Sequence, residues 1–247
     1  MRINRYLSQC GICSRREADR LIQAGHVSVN GETALQGMDV SADDTVCVDG
    51  KTVHLPEAKT YVKFYKPKGM ICTFESGAEH SLGDFLKKYP KRVTYAGRLD
   101  RNSEGLMILT DDGDLIDRMM RGRNGHEKEY LVTVDRPVTD DFLKKMTSGV
   151  WLEELHVRTR PCRAEKTGEY DLSVILTQGL NRQIRRMCDA LGYHVRALKR
   201  VRIVNILLDD MKPYEIRELT EEERKELMRC TAADEVYGGK DCNGRMP

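Results

Sequence analysis

Apolar and polar positions fall into helical spacing twice at the start of the chain and then into short alternating runs. A short helix is expected from Ile3 to Cys10, followed by a second in SRREADRLIQAG. There Ser14 and Glu17 make a capping box, Leu21 and Ile22 turn inward, and Gly25 suits a left-handed helix end. His26-Val27-Ser28-Val29 alternates and runs into Asn30-Gly31, a strong short-range hairpin signal, and Val46-Cys47-Val48 before Asp49-Gly50 repeats the pattern. Residues 1–54 therefore read as a small domain of two helices and short strands, and Pro56-Glu57-Ala58-Lys59 marks a linker over 55–60.

Beyond the linker the pattern is mixed. A strand at 61–65 stops at Lys66-Pro67-Lys68-Gly69, and further strands are expected near 105–110, 128–134, 170–177 and 194–208. Helices are expected near 82–89, 114–121, 140–148, 181–191 and 220–229, the last opened by a Thr220/Glu223 capping box, with Gly192 suited to a helix stop. Irregular strand spacing, with several strands joined without helices, argues for an α+β domain over 61–230 with a mainly antiparallel sheet flanked by helices. From 231 to 247 the chain has few large apolar residues and several glycines, so a mobile tail is expected there.

Composition narrows the class. Of 247 residues, 40% are hydrophobic and 32% charged, enough apolar content for a packed core. No stretch approaches the roughly 18 uninterrupted apolar residues of a membrane helix, and Arg2 and Arg5 lead into polar positions, so a cytoplasmic protein without a membrane partner is expected. The 8 cysteines are scattered, which favours reduced thiols; Cys10 and Cys13 form the only CxxC and read as small buried thiols. The net charge is only +2, yet residues 181–202 hold seven Arg or Lys against one Asp, while 209–226 hold eight acids against four bases. Such a guanidinium run is either a phosphate-binding face or a solvated helix surface.

Several chemistries lack support. There is no GxGxxG after a strand, no GxxxxGK[ST] and no GxSxG. His126-Glu127-Lys128-Glu129-Tyr130 starts like a zincin motif but has Tyr where the second His belongs, and Asp111, Asp112 and Asp114 around Gly113 read as a turn with acids at a helix start. No metal and no cofactor are expected. What resists a packing explanation is Gly97-Arg98-Leu99-Asp100-Arg101-Asn102-Ser103-Glu104-Gly105-Leu106, a loop crowded with charge just before an apolar strand.

That loop, GRLDRNSEGLMILTDDGDL in full, resembles the catalytic motif of the ribosomal RNA pseudouridine synthases. The resemblance spans about residues 1–230. Residues 2–50 resemble an S4 RNA-binding domain (αL type), and YKPKG, HEKEYLVTV and QGLNRQIRRMCDALGYHVRALKRVRI match further family segments, most like the subgroup called F, which acts on 23S rRNA. The stretch 204–217 is less similar.

The resemblance implies isomerisation of a uridine to pseudouridine without a cofactor. It makes Asp100 the nucleophile, attacking the sugar C1′ or the base, or acting by a glycal route. Arg185 becomes the partner that keeps this acid ionised, and Tyr130 the aromatic that stacks on the target base and helps remove its C5 proton. One carboxylate suffices because the leaving base is also the incoming nucleophile, whereas an ordinary glycosidase needs a second. Arg98 would fill the space of the extruded base, and Leu198 would line the pocket, unless it is an ordinary core residue. Asn181 and Arg182 would position the helix carrying Arg185; Arg101, Arg186, Lys68, Arg2, Arg5, Arg15 and Arg16 would contact the RNA backbone. The expected partner is ribosomal RNA, 23S first, with 16S rRNA or tRNA as alternatives, and nothing in the sequence requires a second chain, so a monomer is expected. The competing class is a non-catalytic RNA-binding assembly factor, against which Asp100, Arg185 and Tyr130 all stand intact.

Overall fold

The computed structural model describes residues 1–75, 77–120 and 125–232. The expected tail lies almost wholly outside them. Two compact units are present: one comprises Met1–Thr60 with Pro90–Thr94 and Thr110–Gly113, the other Tyr61–Tyr89, Tyr95–Leu109 and the described residues from Asp114 onward.

In the first unit, helices α1 (Ile3–Gln9) and α2 (Arg15–Gln23) precede strands β1 (Val27–Val29), β2 (Glu32–Thr33), β3 (Val46–Val48) and β4 (Lys51–Thr52). The Ser14 side chain accepts from the Glu17 N–H, which fixes the start of α2. Asn30 and Asp49 both sit at positive φ before a glycine, and the two hairpins close there, giving the sheet order β2-β1-β3-β4. Ile3, Leu7, Ala18, Ile22, Val27, Val29 and Val46 bury themselves in one apolar cluster drawn wholly from this N-terminal segment.

The second unit runs β5 (Tyr61–Lys66), α3 (Leu82–Leu86), β6 (Thr94–Tyr95), β7 (Glu104–Thr110), α4 (Gly113–Met120), β8 (Lys128–Val134), α5 (Asp140–Thr147), β9 (Trp151–Leu152), β10 (Val157–Arg158), β11 (Arg163–Lys166), β12 (Asp171–Leu176), α6 (Gln183–Ala190), β13 (Val195–Ile203), β14 (Ile206–Leu207), β15 (Ile216–Glu218) and α7 (Glu221–Thr231). Its main sheet has the order β11-β12-β8-β13-β7-β5-β15, with β14 on β13 and β6 on β7; β9 and β10 form a separate ribbon. The ladders are antiparallel at β11–β12, β12–β8, β8–β13 and β15–β5, whereas β13 and β7 run parallel. One apolar cluster joins α5 and α6 to β8 and β12 through Phe142, Met146, Ile184, Met187, Val132 and Val174. A second joins α4 and α7 to Leu106, Ile108 and Ile203.

Four sequence expectations are corrected. The strand placed over 194–208 breaks after Ile203, where Val204 takes φ 54° and the chain reverses into β14. The helix placed over 181–191 starts at Gln183 because Arg182 is left-handed at φ 53°. The helix placed over 82–89 ends at Leu86, and the one placed to Cys10 ends at Gln9. The full capping box at Thr220 and Glu223 forms as expected.

Candidate active site

Asp100 lies on the loop entering β7, and its carboxylate is 29% exposed. The backbone around it is held by buried cations. Lys66, fully buried at the end of β5, donates from Nζ to the Ser103 carbonyl at 2.7 Å and to that of Pro67 at 3.0 Å. Arg185, buried on α6, donates to the Asn102 carbonyl at 3.0 Å, to Ser103 Oγ at 3.3 Å and to the Val195 carbonyl at 3.2 Å. Arg200, 2% exposed on β13, donates from Nε to the Leu106 carbonyl at 2.7 Å. Three side chains from distant parts of the sequence thus pin residues 102–106, and a bond to a charged donor is worth about 1.5–3 kcal/mol. The Ser103 N–H also closes on the Asp100 carbonyl at 3.1 Å.

Burial sets the electrostatics. The Lys66 ammonium is pushed below its ordinary value by loss of water; Cys72, Asp100 and Glu104 pull the other way, and Arg200 adds to the push. The Arg185 guanidinium is likewise lowered by burial and by Arg182, with Asp100 opposing. Three cations crowd here against few acids. Glu104, at the start of β7, accepts from Tyr65 Oη at 2.8 Å, and burial together with that bond pushes the Tyr65 phenol up to about 12.

The ion pair of Asp100 is made by Arg182, at 3.9 Å, and not by Arg185 as the sequence suggested. The left-handed turn at Arg182 carries its guanidinium to the acid, while the following helix directs Arg185 into the loop backbone. Arg185 still feels Asp100 through space, but its hydrogen bonds hold the loop.

Tyr130 sits on β8 directly opposite Val174 of β12 and Arg200 of β13, half-buried against the α5/α6 cluster. Leu198 is opposite Val132 and 6% exposed inside that same cluster, so its environment is core. Lys128, two residues before Tyr130 on the same strand face, has its ammonium pushed down to about 8 by burial and by Arg200. Arg98, Arg101, Lys68, Asn181 and Arg182 are exposed; Arg186 forms an ion pair with Glu154 and donates to the Asn181 carbonyl at 3.0 Å. In the N-terminal unit Arg2 bonds to Gly37 and Asp39, Arg5 is half-buried, and Arg15 and Arg16 are exposed.

Much of the basic run 181–202 is therefore internal. Arg185 and Arg200 are buried, Arg202 pairs with Glu127 and Glu129, and Arg186 pairs with Glu154. Sequence reading missed Lys66, Lys128 and Arg200. The first two stand inside the YKPKG and HEKEY segments, which was the available signal, and Arg200 could be seen only once β13 was paired with β7.

Comparison with known proteins matches residues 60–190 to the RNA pseudouridylate synthase family model and residues 1–46 to the S4 domain. The chain is 44% identical to the dual-specificity RNA pseudouridine synthase RluF of Salmonella typhi, over 92% of this chain and 78% of that protein. It is 33% identical to the ribosomal large subunit pseudouridine synthase B of Bacillus subtilis, over 92% of this chain and 95% of that one. A crystal structure of a pseudouridylate synthase superposes with a TM-score of 0.67 at 28% identity, covering 92% of this chain and 99% of the other.

Proposed function

The chain belongs to the RNA pseudouridylate synthase family, with an S4 domain ahead of the synthase fold, and on that premise we propose that it isomerises a uridine of 23S ribosomal RNA. In this reading Asp100 is the nucleophile, Tyr130 the aromatic that stacks on the target base, and residues 1–54, 55–60 and 61–230 are the S4 domain, linker and catalytic domain. The observation that carries the assignment is the Asp100 loop itself: one partly exposed carboxylate, faced by Arg182, on a backbone immobilised by Lys66, Arg185 and Arg200.

The reaction breaks the N1–C1′ bond, turns the uracil, joins C5 to C1′ and releases the C5 proton. Nothing is oxidised or reduced, and the base that leaves is the base that returns. A rigid loop matters here because the carboxylate must keep its position through cleavage and rejoining, and preorganised groups need no rearrangement at the moment of reaction. Removing the target base from its stack costs a few kcal/mol, which exposed Arg98 and Arg101 on the same loop help to offset by holding the opened RNA. The backbone contacts of Lys68, Arg2, Arg5, Arg15 and Arg16 supply register without sequence information.

Arg185 acts in this reading as the residue that positions the nucleophile loop, and Arg182 supplies the charge beside Asp100. The protein works as a monomer in the cytoplasm; among the described residues no helix is long and apolar enough to cross a membrane.

Release of tritium from C5-labelled uridine in a 23S rRNA transcript tests the proposal, with 16S rRNA and tRNA alongside. Wild type should release label from 23S rRNA, and Asp100→Asn should release none while binding the transcript within a few-fold of wild type. Equal release by the variant would remove Asp100 from its role, and release from tRNA or 16S rRNA alone would reassign the substrate.

A further inference from the structure

The single tryptophan of the chain is not in its core. Trp151 is 48% exposed, on the two-stranded ribbon of β9 and β10. The ribbon is anchored beneath it: Val150 and Leu152 point into the α5/α6 cluster, and Val150 and Thr159 exchange hydrogen bonds, Val150 N–H to Thr159 Oγ1 at 3.0 Å and Thr159 N–H to the Val150 carbonyl at 2.9 Å. Alternation along the strand then forces Trp151 outward. Its indole N–H donates to Glu153 at 2.6 Å, which fixes the ring, and no other ring or cation stands on its face among the described residues. A held, half-exposed indole thus offers a large apolar face that no ring or cation covers among the described residues.

Apart from Glu153 and the paired Glu154 its charged neighbours on the ribbon are arginines, and hydrogen bonds tie the ribbon to the start of α6. Arg158 lies directly across the ribbon from Trp151, exposed and without an ion pair or hydrogen bond among the described residues. Arg160 is exposed, and its backbone N–H bonds to Gln178, which also accepts from Gln183 at the first turn of α6. Glu154 is matched by Arg186 of α6. The ribbon is therefore stapled to the loop and helix start that bring Arg182 to Asp100. An aromatic face beside the exposed Arg158 guanidinium fits a nucleobase and its phosphate, and fits poorly to an apolar partner.

We propose that Trp151, with Arg158, is a stacking subsite for an unpaired nucleotide of the substrate RNA next to the target uridine. The inference rests on the isomerase reading. Extruding the target base strips its neighbours of a stacking partner, and a fixed indole beside the active site restores one. Any base can use it, so the subsite adds affinity and holds the RNA open without choosing the sequence.

Because this is the only tryptophan, the wild-type enzyme reports on its own subsite. Titrating the 23S rRNA transcript should quench tryptophan emission with the same half-saturation as the anisotropy of a fluorescein-labelled transcript, and bound RNA should shield the indole from acrylamide. Trp151→Ala should weaken binding and raise KM about five-fold or more with kcat within about two-fold, whereas Trp151→Phe should stay within about two-fold of wild type. Binding by anisotropy with unchanged emission and unchanged acrylamide access overturns the subsite, and so does a Trp151→Ala enzyme with wild-type KM; tritium release in either case leaves the isomerase reading standing. Absence of both RNA binding and release overturns both.

Discussion

Arg182 and Arg185 stand three positions apart in one basic run, yet their losses should read differently. Arg185 is buried with three acceptors, so Arg185→Met should cost about 3 kcal/mol in denaturant unfolding, together with activity, since the Asn102 carbonyl and Ser103 lose their donor. Arg182 is 47% exposed, so Arg182→Ala should change stability by less than about 1 kcal/mol while lowering kcat. Lys128 gives a pH test. Its folded value, about 8, is below the ordinary lysine value, so the unfolded chain binds more protons between roughly pH 8 and 10.5 and this residue's cost to stability fades as pH rises through that window. Lys128→Met should therefore be stabilising at pH 7 by on the order of 1 kcal/mol, and its advantage over wild type should shrink in melts at pH 9 to 10. At this scale the charged loop of Asp100 stood out in the sequence, but the run 181–202 was misjudged. A count of charges says nothing about direction, and Arg185 and Arg200 point inward because backbone carbonyls there need donors.

Gly105 shows how the strands constrain the loop. It has φ 110° and pairs in parallel with Arg200, and a Cβ there would lie 2.3 Å from the Arg200 carbonyl oxygen. Gly105→Ala must shift β7 against β13, at a cost expected above about 2 kcal/mol in chemical denaturation, with most activity lost. The long apolar strands β5, β7, β8 and β12 and the capped helices α2, α5 and α7 were legible because their patterns run for several residues. The strands β9, β10 and β15 were not, since they are two or three residues long with no Asn-Gly or Asp-Gly turn beside them, and β11 has almost no apolar alternation because it lies at the sheet edge. Val204 in a left-handed turn contradicts local preference; the hydrogen bond from its N–H to the Glu127 carbonyl, between segments far apart in sequence, holds it.

For the whole molecule, the division of labour between the S4 unit and the catalytic unit has a salt signature. If Arg15 and Arg16, both exposed, each neutralise one phosphate, Arg15→Ala with Arg16→Ala should flatten the dependence of log affinity on log salt by about 1.4–1.8, leaving kcat at saturating RNA unchanged. An unaltered slope would take these two residues off the RNA. The S4 pattern was readable because its helices, hairpins and core all come from neighbouring sequence.

The parallel pairing of β7 with β13 also sets a schedule for synthesis. The first apolar cluster can close once residue 53 is made, but Gly105 meets Arg200 only after some 95 further residues have followed it. Closure across that span is entropically slow, and pairings of this kind form late. A nascent chain that has reached residue 190 already carries Asp100, but β13 with Arg200 does not yet exist to hold its loop. The ribosome making this protein would thus release its catalytic power only after β13 has been made.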